Sequence, residues 1–257
     1  MPRRVGLFVT CLVDLFRPSV GFSAVRLLEA ADCEVLVPAA QTCCGQPAWN
    51  AGDRRTARDL ALAVLDAFAD VDYVVAPSGS CTGMLRQFPE VLGAGHPRRS
   101  EAEALVARAF ELTSFLVEVC AWTPLPGPGG EAPAGDAPVV TYHDGCAGLR
   151  ECGVKAQPRA LLRAAGVTVA EMDRAEVCCG FGGTFCVKYP ELSAAMADDK
   201  LASVARAAAP LLVAGDLGCL LHLAGRLSRE GSPVRARHVA ELLAGTPTAP
   251  ALGEPRP

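Results

Sequence analysis

Short, continuous runs of β-branched and apolar residues recur along the chain: VGLFV at 5–9, CEVLVP at 33–38, DYVVAPSGS at 72–80, PVVTYHDG at 138–145, VTVAEM at 167–172 and LLVAGDLG at 211–218. Runs of this length without polar alternation read as strands buried on both faces. Between them lie longer stretches with apolar residues at helical spacing, FSAVRLLEA, RRTARDLALAVLDAF, PRALLRAAG and PELSAAMADDKLASVARAA. Pro158 stands near the start of the third of these and Gly166 just past its end, where helix boundaries favour them. The alternation of strand and helix predicts an α/β fold built on parallel sheets with crossover helices.

The pattern stops at TPLPGPGGEAPAGDAP, where proline and glycine alternate with small residues. This stretch reads as a linker over 123–137, separating a unit of 1–122 from a second of 138–244. The remainder, 245–257, has the same composition and is expected to be a frayed tail. The two units repeat one another in their cysteines. Cys11 stands 32 positions before Cys43, and Cys146 stands 32 before Cys178. Each unit has a Cys-Cys-Gly, Cys43-Cys44-Gly45 and Cys178-Cys179-Gly180, and then a further single cysteine, Cys81 or Cys219. Every one of these eight follows an expected strand, so all fall at carboxyl ends of parallel strands, where open sheets form their sites. The expectation is two similar Rossmann-like units, packed about a pseudo-twofold with their cysteine loops near one another.

Composition narrows the possibilities. The 257 residues are 51% hydrophobic and 20% charged, enough to bury a core and too apolar for general disorder. The net charge is −4 and the basic residues are scattered, which argues against nucleic acid as a partner. The opening MPRRVGLFVTCLVDLF is broken by Asp14 and reads as a strand, not an export signal. The most apolar later windows, 60–76 and 211–225, contain aspartates and fall short of the roughly 18 uninterrupted apolar residues of a bilayer span. A cytosolic, reducing location follows, and there 12 cysteines point to metal or redox chemistry instead of disulfides.

Four thiolates suit either zinc or an iron–sulfur cluster. Structural zinc sites space their cysteines as C-x₂₋₄-C, whereas here two adjacent cysteines and two distant ones must be gathered by a whole fold. Neighbouring residues reach different irons of a cluster more easily than two corners of one small tetrahedron. The candidate ligands are Cys11, Cys43, Cys44 and Cys81 in the first unit, and Cys146, Cys178, Cys179 and Cys219 in the second. Four thiolates on a doubly charged cubane leave about two net negative charges. The glycines of SGSC and CCGFGG could turn amides inward to offset them, with Arg150 and Lys188 as nearby cations. Cys33, Cys120, Cys152 and Cys186 lack a counterpart in the other unit and are read as structural. Asp144 is expected to cap its loop, and His143 to bond a sulfur or relay a proton. No G-x-G-x-x-G opens a helix after a strand, so no catalytic residue is assigned and substrate chemistry is left to a partner.

The twofold C…CCG…C pattern resembles the cysteine-rich CCG domains of heterodisulfide reductase and of the glycolate oxidase iron–sulfur protein. LFVTCLVDLFRPSVG, QTCCGQPAWNAG, YVVAPSGSCTGM, YHDGCAGLRECGV, CCGFGGTFCVKYPELSAAMADDK and GDLGCLLHLAGRL are similar, across nearly the whole chain, to the lactate utilization protein A family. That resemblance implies a cytosolic iron–sulfur subunit, expected to carry 4Fe–4S, in a complex oxidising L-lactate to pyruvate with two other subunits, one ferredoxin-like. Zinc in one half, a zinc-stabilised scaffold role, and disulfide or heterodisulfide reduction are the alternatives. The heterodisulfide reductase domains end each motif with C-x-x-C, where this chain has Met84 and His222. Met84 is therefore read as core filler, and His222 as structural, with a role as ligand or hydrogen-bond donor as the alternative. Ala147 stands where the family tends to have histidine, and Cys186 where it tends to have serine.

Overall fold

Each buried run becomes a central strand because its apolar side chains can be covered from both faces only in a parallel sheet flanked by helices. In the computed structural model, which describes residues 2–124, 137–245 and 249–254, the first sheet contains β1 (Arg3–Leu7), β2 (Cys33–Leu36), β3 (Tyr73–Ala76) and β4 (Ala109–Glu111), in the order β2-β1-β3-β4. The second contains β5 (Val139–His143), β6 (Thr168–Val169), β7 (Leu211–Ala214) and β8 (Arg235–His238), in the corresponding order β6-β5-β7-β8. All pairings are parallel. Val5 lies between Val35 and Tyr73, and Val140 between Val169 and Leu211. Chain direction reverses its progress across the sheet at β1 and at β5, so the crevice at their carboxyl ends is the topological switch point of each unit.

The α/β class and the tandem repeat thus appear as expected, with a fourth strand in each sheet that the hydrophobic pattern did not announce. β4 is only three residues long, and β8 alternates Arg235 and Arg237 with buried Ala236 and His238. Both are edge strands, where charge and brevity discourage pairing with another chain. Residues 125–136 of the expected linker lie outside the described residues, as do 246–248 and 255–257 of the expected tail. The described part of that tail runs beside β8, where Ala236 and Leu252 exchange backbone hydrogen bonds of 3.2 and 2.8 Å.

The units share a hydrophobic core. Phe115 and Leu116, which follow β4, are buried in the same cluster as Leu161, Leu162 and Leu212 of the second unit. Polar ties cross the boundary too. Arg17 forms a paired contact with Glu241 (Nε–Oε1 2.9 Å, Nη2–Oε2 3.2 Å), both side chains buried. The helices Gly79–Arg86 and Cys146–Cys152 touch at their first turns, where a Cβ on Gly79 would stand 2.5 Å from the Gly148 Cα. Ser78 and Asp216, which stand three residues before Cys81 and Cys219, meet directly at 3.3 Å. Equivalent residues in contact are what a twofold axis between the units produces.

At the end of β4, Glu111 is wholly buried and its Oε2 accepts hydrogen bonds from the Thr113 amide (2.8 Å), the Thr113 hydroxyl (2.5 Å) and the Ser114 amide (3.2 Å). Burial pushes its pKa up from 4.5 to about 7, further than those bonds pull it back. An acid whose folded-state pKa is raised holds its proton better folded than unfolded. Its favourable contribution is therefore complete below pH 4.5 and lost as the pH rises to about 7. We expect wild-type stability to fall by about 3 kcal/mol relative to Glu111→Gln over that interval. Urea titrations of both proteins at pH 4.5 and pH 7.5 measure the difference; parallel pH profiles would refute the assignment.

Candidate metal centre

The four single cysteines of the two sets stand in the first turns of helices that directly follow strands. Cys11 opens Cys11–Phe16, Cys146 opens Cys146–Cys152, and Cys81 and Cys219 are the third residues of Gly79–Arg86 and Leu217–Arg229. Helix starts leave backbone N–H groups without intrahelical partners. The Thr10 hydroxyl takes up the Val13 amide at 3.4 Å, and the Ser78 hydroxyl the Cys81 amide at 3.3 Å. Asp216 occupies the same position before Leu217–Arg229 but does not cap its own helix. Its Oδ2 instead accepts from the Ser80 amide of the other unit at 2.9 Å.

The Cys-Cys-Gly turns complete each set. Gly45 and Gly180 both have φ of +88°, a left-handed conformation that turns the glycine amide back toward the first cysteine of the pair. The Gly45 amide lies 3.5 Å from Cys43 Sγ, and the Gly180 amide 3.4 Å from Cys178 Sγ. At Gly180 a side chain is also barred by space, since a Cβ would fall 2.6 Å from the Ser193 carbonyl oxygen.

The eight cysteines fall into two rows of neighbouring sulfurs, four in each unit, although among the described residues no three of these sulfurs lie within 4.8 Å of one another. In the first, the Cys11 thiol donates to Cys43 Sγ at 3.9 Å, and Cys44 bonds to both Cys43 and Cys81. The second repeats this with Cys146 beside Cys178 and Cys179 bonded to Cys178 and Cys219. The titration pattern is the same in both. Cys43, receiving bonds from Cys11, Cys44 and the Gly45 amide, is pulled down to about 2, and Cys178 likewise by Cys146, Cys179 and Gly180. Cys11, Cys44, Cys146 and Cys179 are all raised, because each is a donor to a neighbouring sulfur or buried beside one. Sulfurs this close can carry one negative charge by themselves; further thiolates need a cation among them. Thiols at contact, amides aimed at sulfur and placement beyond strand ends fit a thiophilic metal or an iron–sulfur cluster.

Surroundings distinguish the sets. The first borders a surface groove of about 410 Å³ with exposed Leu15 and Val37 on its walls. The second borders a cleft of about 240 Å³ whose far wall belongs to the first unit, including Gln46, Trp49 and Ser80. Behind the second set lie two polar groups that sequence reasoning underrated. Lys200, almost wholly buried, donates to the carbonyls of Arg174 (2.5 Å) and Ala175 (3.1 Å), and burial lowers its pKa. The cations expected there, Arg150 and Lys188, are both exposed. A lysine in an alanine-rich helix gives no sign of its burial. His143 is fully buried, and neither ring nitrogen has a hydrogen-bond partner. Burial pushes its pKa down to about 3, so it is a neutral imidazole.

The remaining assignments divide. Asp144 is not principally a loop cap: its carboxylate is gripped by Arg159 (Nη1–Oδ1 2.7 Å, Nη2–Oδ2 2.9 Å), which also holds Glu171. Met84 is buried in the core, and His222 rests on the Ser193 hydroxyl at 3.3 Å beside the Phe181 ring. Cys33 and Cys120 stand 3.9 Å apart at the opposite end of the first sheet. Cys186 and Cys152 donate to the carbonyls of Gly183 (3.1 Å) and Gly79 (3.6 Å). Among the described residues, no helix is long and apolar enough to cross a membrane.

Comparison with known proteins bears on this arrangement. The model of a cysteine-rich domain family, CCG, matches residues 5–86 and again 140–224. Lactate utilization protein A of Geobacillus kaustophilus (strain HTA426) is 44% identical over 241 residues, covering 93% of this chain and 98% of that protein. Its namesake in Exiguobacterium sp. (strain ATCC BAA-1283 / AT1b) is 42% identical over 242 residues, covering 93% and 96%. Among solved structures, a hypothetical protein from Helicobacter pylori superposes with a TM-score of 0.63 at 13% identity, over 97% of this chain and half of that one. The last likeness concerns the fold alone.

Proposed function

The chain belongs to the CCG cysteine-rich family and to the lactate utilization protein A family within it, and from that premise we propose that it is an iron–sulfur electron-transfer subunit in lactate utilization. In this reading Cys11, Cys43, Cys44 and Cys81 hold one centre and Cys146, Cys178, Cys179 and Cys219 another, each 4Fe–4S. Such centres supply reversible one-electron chemistry when bound. The chain's own residues set its terms. The amides of Gly45 and Gly180 stabilise charge on sulfur, and burial of Cys44 and Cys179 limits access of water. Oxidation of L-lactate to pyruvate yields two electrons and two protons. A partner supplies the substrate site, and a ferredoxin-like protein of the same cytoplasmic complex takes the electrons onward.

What supports this reading above all is the doubled row of neighbouring sulfurs, each with a glycine amide aimed at the first cysteine of its pair, a donor arrangement that suits a cation. The test is anaerobic purification followed by iron and acid-labile sulfide analysis and by electron paramagnetic resonance of the reduced protein. Two paramagnetic centres with matching iron and sulfide are expected. A colourless protein with stoichiometric zinc in both halves would refute electron transfer and leave a scaffold.

A further inference from the structure

The two sets are equal in sulfur but not in what surrounds it. Three residues before Cys11 stands Phe8, buried against the Phe68 ring at 5.6 Å between centroids. Three residues before Cys146, at the end of the corresponding strand, stands His143, equally buried. A buried imidazole normally gives its N–H to a carbonyl, carboxylate or hydroxyl, because an unsatisfied donor costs about 1–3 kcal/mol. No group meets hydrogen-bond geometry at either nitrogen of His143, the nearest polar neighbour being the Ala175 backbone. Instead, one ring nitrogen lies with Cys179 Sγ and Cys219 Sγ in a group whose atoms are all within 4.8 Å of one another. Metal–nitrogen and metal–sulfur bonds run to about 2.0–2.3 Å, so donors gathered this closely can reach neighbouring irons of one cluster with small side-chain shifts. The other imidazoles of this unit stand outside that group and are engaged elsewhere, His222 by Ser193 and His238 by the Pro77 carbonyl and the Ala240 amide.

Resting on the reading that the second set holds an iron–sulfur centre, we propose that His143, with Cys179 and Cys219, is one of the four ligands of that centre and stands in for one of the two remaining thiolates, Cys146 or Cys178, making the two centres of the chain chemically unequal: all-thiolate in the first unit, mixed thiolate and imidazole in the second. Replacing thiolate by neutral imidazole reduces the negative charge on a cluster and raises its reduction potential. The second centre is thus the better electron acceptor of the pair, and it is the one that borders the cleft between the units.

The experiment uses the full chain carrying Cys44→Ser, so that the signal of the second centre is observed without the first. Reduced protein grown with ¹⁵N-histidine or ordinary histidine is compared by pulsed electron paramagnetic resonance, with iron and sulfide measured on the same samples. We expect a strong nitrogen coupling that changes with the isotope, disappears in His143→Phe and persists in His222→Phe. Phenylalanine at 143 copies Phe8, and circular dichroism checks that the variant folds. Iron remaining after a chelator challenge should fall at least about tenfold in His143→Phe and recover in His143→Cys without the nitrogen coupling. A second centre with its full iron and sulfide but no such coupling, or only a weak one as from a hydrogen bond, would overturn the ligand assignment and leave the iron–sulfur reading intact. No iron or sulfide in the second unit of otherwise wild-type protein would overturn both.

Discussion

Serine at Cys44 is expected to abolish the centre of the first unit and with it about half of the bound iron, while the second centre keeps its signal. Cys44 is the bridge of its set, bonded to Cys43 on one side and Cys81 on the other, and it is only 3% exposed. A serine hydroxyl there is a harder, shorter donor that cannot reproduce a thiolate's bond to iron. Cys179→Ser should do the same to the second unit, where Cys179 is 2% exposed between Cys178 and Cys219. The control is Cys33→Ser. Cys33 opens β2, whereas Cys43 and Cys44 follow its far end, and its nearest sulfur is that of Cys120. Visible absorption and iron content should be unchanged in that variant. Bleaching by Cys33→Ser equal to that by Cys44→Ser would show that the ligands have been sorted wrongly.

Methionine at Arg17 is expected to cost about 3–5 kcal/mol of stability, because it strands the Glu241 carboxylate where water does not reach. Glu241 is fully buried, and among the described residues it receives, besides Arg17, the Ser19 hydroxyl at 2.7 Å and the His238 amide at 3.2 Å. Arg17 also donates to the Pro250 carbonyl at 2.6 Å, so one guanidinium joins the first unit, the last helix and the segment after it. For a chain of this size the loss corresponds to a fall in melting temperature on the order of 10 °C. Removing the stranded charge as well, in Arg17→Met/Glu241→Leu, should recover most of the loss, since the larger part of the penalty is the unpaired ion and not the missing bridge. A single variant that melts within about 2 °C of wild type would show that the contact contributes little.

Most of what positions the site can be read from the chain itself, for a physical reason: buried parallel strands are continuous apolar runs, and their carboxyl ends are marked by the cysteines that follow. The repeat of spacing then pairs Cys11 with Cys146 and Cys43-Cys44 with Cys178-Cys179 before any coordinate is known. Edge strands escape the same reasoning because they are half-wet. The arginines of β8 spoil its hydrophobic run, and β4 is too short to make one. Charges inside the second unit escape for another reason. Nothing local to Lys200, Arg159 or Asp144 separates a buried, bonded ion from a solvated one, since the difference lies in partners 12 to 26 residues away. His143 stands out in the sequence for its closeness to Cys146, but its lack of any hydrogen-bond partner is a property of the packed interior alone.

The carboxylate of Asp216 serves the opposite unit's helix and leaves its own without a side-chain cap. A chain assembled from two copies of the first unit would face serine with serine at that junction, and the Ser80 amide would lose its anionic acceptor. The repeats are consequently not interchangeable parts: tandem duplication in one polypeptide lets each copy specialise for its neighbour, a division of labour closed to a homodimer whose protomers share a single sequence.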